Sequence, residues 1–127
     1  MPVSKPSRAG LAAAALAAAV PAPSAPATAQ DLPGERIPYR SELALEVGER
    51  QVIHGWRGEC GRSPGDPADL WLPTLSHGEL STGRTGWRRS RSCGGATPAI
   101  EVIDEATSPG EDRFELFGDR ITVTVSE

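Results

Sequence analysis

Beyond residue 29 the chain has no lysine, and its whole length holds only two cysteines, two histidines and one methionine. Two cysteines allow at most one disulfide. The two histidines, His54 and His77, stand 23 residues apart and lack the spacing of a strong metal motif, even with Glu79 two residues beyond the second. No Gly-x-Ser-x-Gly elbow occurs, which removes that route to a catalytic serine. Past residue 29 the apolar residues never keep a helical period for more than one turn, so the fold is not built on amphipathic helices. No apolar run reaches the roughly 20 residues that a membrane-crossing helix needs, so stable membrane insertion is not expected. No metal and no cofactor is expected either.

The first 29 residues read as a signal peptide. Lys5 and Arg8 form a short positive start, Gly10 to Val20 is an Ala/Leu run, and Ala27-Thr28-Ala29 offers small residues at the cleavage positions. The protein is therefore expected to be periplasmic or secreted, with residues 30-35 a flexible leader and residues 36-127 one domain. Mass spectrometry of the exported protein should find Gln30, free or cyclised, at the N-terminus; a retained Lys5 would contradict that cut. Without Lys5 and Arg8, eleven arginines face 17 acidic residues, a net charge of about −6. Phosphate contacts dominate nucleic-acid affinity, so so acidic a domain is not expected to bind nucleic acid.

In an exported chain the two cysteines are expected to pair, Cys60 with Cys93. Closing a loop of that length removes unfolded-chain entropy worth roughly 3 to 4 kcal/mol. The rest of the chain reads as strands and turns. Ile37, Tyr39, Leu43, Leu45 and Val47 occupy alternate positions, with Gln51 to Trp56 as the partner strand across Gly48-Glu49. Gly61 to Asp69 is a loop by composition, and Leu70 to Leu75, interrupted by Pro73, is at best an edge strand. Glu79 to Thr82 is a strand, Gly83 to Gly86 a turn, and Trp87 to Cys93 a strand. Ile100, Val102 and Ala106 share an inner face, Thr107 to Asp112 turns, and Phe114 and Leu116 begin another strand. After a Gly118-Asp119 turn, Ile121, Val123 and Val125 close the chain. Trp56, Trp71 and Trp87 are assigned to the core. Short strands with a turn signal about every ten residues argue an all-β fold, a small antiparallel sandwich of six to eight strands with one disulfide.

The run from Leu72 to Gly83, the stretch S-R-S-C-G-G-A-T-P-A-I-E-V and the final I-T-V-T-V resemble bacterial exported Ig-like (cadherin-like) sandwich domains. Ser76-His77-Gly78 and Gly110-Glu111-Asp112-Arg113-Phe114 match two turns of that family, and the likeness covers residues 72-125. It implies an Ig-like architecture and an interaction role; it supplies no active site.

The unusual local feature is R-T-G-W-R-R-S-R. Arg84, Arg88, Arg89 and Arg91 surround Trp87 in an otherwise acidic protein, a grouping suited to gripping a phosphate, a uronate or an acidic partner. The competing reading is a solvated strand paired with the protein's own acids. Strict alternation would put Trp87, Arg89, Arg91 and Cys93 on one face, which requires a bulge before Cys93 or arginine stems laid over the core edge. The acidic set Asp104, Glu105, Glu111, Asp112 and Asp119 lacks calcium-loop spacing; Asp112 is expected to accept backbone N–H groups in its turn. The leading expectation is a non-enzymatic exported module that binds an envelope protein or an anionic glycan. The alternative is a small periplasmic inhibitor that inserts the Gly61 to Asp69 loop into an enzyme cleft.

Overall fold

The computed structural model describes residues 32-127; the expected signal peptide and the start of the leader lie outside that range. Six strands follow in order: β1 (Glu42–Glu46), β2 (Arg50–Arg57), β3 (Gly78–Ser90), β4 (Gly95–Ala106), β5 (Gly110–Leu116) and β6 (Asp119–Ser126). They form two three-stranded sheets, β1-β6-β5 and β2-β4-β3. The all-β sandwich and the Cys60–Cys93 bridge are as expected from the sequence. No helix among the described residues is long and apolar enough to cross a membrane.

The sandwich closes on alternation. In β6, Ile121, Val123 and Val125 point inward and are buried, and Val102 and Ala106 answer them from β4. Leu45, Ile53 and Leu116 complete the shared core. Each such branched or long aliphatic side chain taken from water contributes about 1.5 to 3 kcal/mol.

Several expectations are corrected. β1 and β2 are not hairpin partners: β1 runs parallel to β6 and β2 antiparallel to β4. The turn between them crosses from one sheet to the other. Val47 N donates to Ser126 O in the first sheet, while Gly48 N donates to Ala106 O in the second. Ile37 and Tyr39 precede β1 rather than belong to it, and Tyr39 and Val47 are exposed. Leu70 to Leu75 forms no strand; Leu72 still packs on the core, but Trp71 is 78% exposed, so it is not a core residue. Trp56 and Trp87 are only partly buried.

Gly83 to Gly86 is not a turn. β3 runs through it with a bulge between Thr82 and Thr85; this lies before Trp87, and from Thr85 to Ser90 the pairing with β4 is regular, so no bulge within β3 separates Trp87 from Arg89. The glycines serve close approach instead: a Cβ on Gly83 would strike Glu101 and Ile103, and one on Gly86 would strike the Glu35 carbonyl. Glu35 belongs to the leader expected to be loose, yet its carbonyl accepts from Trp87 N and Ile37 N donates to Trp87 O. Ile37 is thereby pressed between Gly55 and Gly86, and Arg40 N reaches Ile53 O on β2. The segment before β1 thus ties β3 to β2 at the end of the sandwich that carries the arginines.

Candidate functional site

At that end, the last residues of β2 and β3 meet the β5–β6 turn around an open groove of about 490 Å³. Its positive wall comes from three elements. Arg57 ends β2, Arg88 lies near the end of β3, and Arg91 sits in the turn that follows. The disulfide joins that turn, through Cys93, to the loop leaving β2, through Cys60. Gly61 N donates to Thr97 Oγ1 at 3.0 Å and pins the same loop to β4.

Each cation is held in a different way. The Arg88 stem passes over Gly55, where a side chain would meet its Cδ, and Nη1 donates to Gly55 O at 3.1 Å. Burial pulls its guanidinium below the ordinary arginine range; neighbouring Arg57 adds to this, and Asp119 opposes it. Arg57 spends Nη1 on Gly58 O at 2.8 Å and Nη2 on Ser92 Oγ at 2.7 Å. Ser92 Oγ in turn lies 3.1 Å from Ser90 Oγ. Among the described residues, Arg50, Arg62, Arg84 and Arg113 each pair with a glutamate, whereas Arg57, Arg88 and Arg91 have no carboxylate within ion-pair distance. Arg57 and Arg88 therefore repel each other with no carboxylate in direct ion-pair contact, Asp119 offsetting this only from a distance.

The opposite wall is aromatic and acidic. Asp119 opens β6, and its Oδ2 lies 2.9 Å from Nε2 of His54, whose side chain is wholly buried. Because His54 Nδ1 accepts the Gly55 N–H at 2.8 Å, the ring proton sits on Nε2 and is donated to Asp119. Burial lowers the His54 pKa against the pull of that carboxylate. With both nitrogens engaged, the pair is arranged as a structural strut rather than a proton shuttle. The His54 ring lies between Tyr39, 4.8 Å away, and Phe117, 5.2 Å away and edge-on. Tyr39 Oη donates to Arg120 O at 2.7 Å; its own pKa is raised by burial and by Asp119.

Phe117 carries the one positive φ among the described non-glycine residues, +53°, followed by Gly118 at +85°. Two consecutive positive φ values make the tight hairpin turn that favours Asn-Gly. The turn thus uses Phe117-Gly118 rather than Gly118-Asp119. A bulky residue in that conformation costs about 1 to 2 kcal/mol, and here it leaves the ring 40% exposed on the groove. Trp56 lines the same groove.

The sequence-predicted cluster is therefore split. Arg88 and Arg91 face the groove. Arg84 turns away: it approaches Glu101 Oε1 at 3.9 Å, while its backbone N–H, freed by the bulge, donates to the same oxygen at 2.8 Å. Arg89 is exposed, and Trp87 is tied through its backbone to Arg36. Sequence reasoning missed Arg57, Ser92, Phe117 and Asp119. One signal was available for Arg57, since a Cys60–Cys93 bridge brings its neighbourhood next to Arg91.

The acidic set stays apart. Glu105 pairs with Arg50, Glu111 with Arg113 and Asp119 with His54. Asp112 accepts from Ser76 N and His77 N, both at 3.0 Å, so it holds the turn across from it rather than its own. Asp104 is buried, with Oδ1 lacking a hydrogen-bond partner among the described residues. His77 Nδ1 lies 3.1 Å from Ser108 Oγ. Among the described residues no group of three or more His, Cys, Asp or Glu is placed to hold a metal ion. The Gly61 to Asp69 loop is exposed, and its one regular element is a 3-10 turn over Pro67–Asp69 capped by Asp66. No protein-family profile matches this chain, and neither the curated proteins nor the solved structures contain a match.

Proposed function

We propose that this is an exported, non-enzymatic interaction module of the bacterial envelope or exterior, Ig-like in type, which binds an anionic partner through the groove of Arg57, Arg88 and Arg91. The observation that supports it most is the pair Arg57 and Arg88. They are packed together, carry no ion pair among the described residues, and stand beside two serine hydroxyls. Like charges held together in a partly dry site lower their mutual repulsion when an anion arrives. Planar guanidinium groups suit carboxylate, sulfate and phosphate alike. A protein or an anionic glycan can supply such a group. The inhibitor alternative has less behind it, because the Gly61 to Asp69 loop presents no comparable cluster of functional groups.

Arg91 is the residue on which to test this, since it is exposed and makes no side-chain hydrogen bond among the described residues, whereas Arg88 is half-buried and bonded to Gly55 O. Arg91→Gln should weaken binding of polygalacturonate or polyglutamate by about 5- to 10-fold, the size of one ordinary net hydrogen bond at an exposed site. Its melting temperature should stay close to that of the wild type, as exposed charges contribute only about 0 to 1 kcal/mol. Arg84→Gln and Arg89→Gln should bind as the wild type does. Binding should fade above about 0.1 M salt, where the screening length is about 10 Å. Unaltered binding by Arg91→Gln, with a loss in Arg89→Gln, would move the site to the other side of β3.

A further inference from the structure

Resting on that reading of the groove, we infer that its ligand is an acidic sugar, a uronate unit of a polysaccharide, rather than a bare anion or an acidic peptide. The groove holds three kinds of group at once. Arg57, Arg88 and Arg91 offer guanidinium donors for a carboxylate. Asp119 faces them across the groove, with Oδ2 committed to His54 and Oδ1 unpartnered among the described residues. Phe117, beside Asp119 in sequence, and Trp56, beside Arg57 on β2, add aromatic surface to the lining.

An inorganic anion would use only the arginines and the serine hydroxyls, and Asp119 would repel it. An acidic peptide brings carboxylates and backbone amides, but no set of hydroxyls for Asp119 and no saturated ring face for the aromatic side chains. A uronate matches all three features. Its carboxylate pairs with guanidinium, its hydroxyls donate to Asp119 Oδ1, and the C–H face of the pyranose ring lies on an aromatic ring. The backbone at Phe117 is a second, independent pointer. Asparagine would fit the turn without strain, yet a phenylalanine is held at φ +53° with its ring open to the groove. Strain kept at one position and directed at a cleft points to use of the side chain.

Calorimetric titration of the exported protein tests the assignment with four probes: trigalacturonate, maltotriose, inorganic phosphate and a triglutamate peptide. Trigalacturonate should bind at least about 10-fold tighter than each of the others. Phe117→Asn replaces the ring with the residue the turn prefers, so this variant should fold; it should lose trigalacturonate affinity about 10-fold and keep whatever weak phosphate affinity the wild type has. Phosphate or triglutamate binding as tightly as trigalacturonate, still sensitive to Arg91→Gln, would leave the anion groove standing and overturn the sugar. Equal binding of maltotriose would also overturn it, because the arginines would then be idle. No binding of any acidic probe would overturn both the sugar and the groove.

Discussion

Replacing Cys60 and Cys93 together by alanine should lower unfolding stability by about 3 to 4 kcal/mol, the loop-entropy value for a bridge spanning 33 positions. In a domain of this size that corresponds to a fall in melting temperature of roughly 12 to 30 °C. Cys60 is exposed and Cys93 only partly covered, so the double substitution opens no core cavity. Its effect should therefore come from the unfolded chain. A second effect should be separable from the first. The bridge holds the Arg91-Ser92 turn against the loop that leaves β2, where Arg57 bonds to Ser92. At temperatures where the variant remains folded, affinity for acidic ligands should also drop. Thermal melts by circular dichroism, followed by titration well below the transition, separate the two. Unchanged melting temperature would mean that the closed loop is already compact in the unfolded chain, and unchanged affinity would mean that the groove keeps its shape without the bridge.

The bridge was legible because two cysteines allow only one pairing within the chain. The last strand was legible because Ile121, Val123 and Val125 keep strict alternation beside a shared inner face. What was not legible depends on which sheet a strand joins. Glu42 to Glu46 and Arg50 to Arg57 are neighbours in sequence and carry compatible patterns, so local reading pairs them. The structure instead sends them to opposite sheets, because the Val47-Gly48 backbone can bond to Ser126 and Ala106 at once. Those partners are about 60 to 80 residues away, and no local signal announces them. Gly83 and Gly86 misled for a related reason. A glycine that makes a turn and a glycine that lets Glu35 or Glu101 come close look alike in sequence. The candidate groove suffered most, because its walls come from three strand ends. Only the β3 contribution formed a visible cluster, and half of that cluster faces elsewhere.

Asp104 should make the protein less stable as pH rises from about 4 to about 7, by about 3 kcal/mol. It occupies an inner position of β4 between Val102 and Ala106, where alternation calls for an apolar residue. It is 1% exposed, its Oδ1 lacks a hydrogen-bond partner among the described residues, and it lies tightly against Gly78. Burial first, and the Asp112 carboxylate second, push its pKa up to about 6 from an ordinary 3.8. In the unfolded chain the group ionises near 3.8; in the folded chain it holds its proton until about pH 6. Below pH 3.8 both states are protonated and the residue adds no pH dependence. Between the two values the folded state binds more protons, so stability falls with rising pH. Above about 6 both states are ionised, and the full penalty is in place. A shift of that size corresponds to about 3 kcal/mol at 1.36 kcal/mol for each unit. Asp104→Asn removes the titration, so its stability should change much less over this range. The difference between variant and wild type isolates Asp104 from every group the two proteins share. Urea unfolding at pH 4, 5, 6 and 7 reads that difference directly. Parallel curves for the two proteins would show that Asp104 ionises in the folded state as freely as in water, through solvent that reaches the end of the sandwich between Gly78 and Asp112.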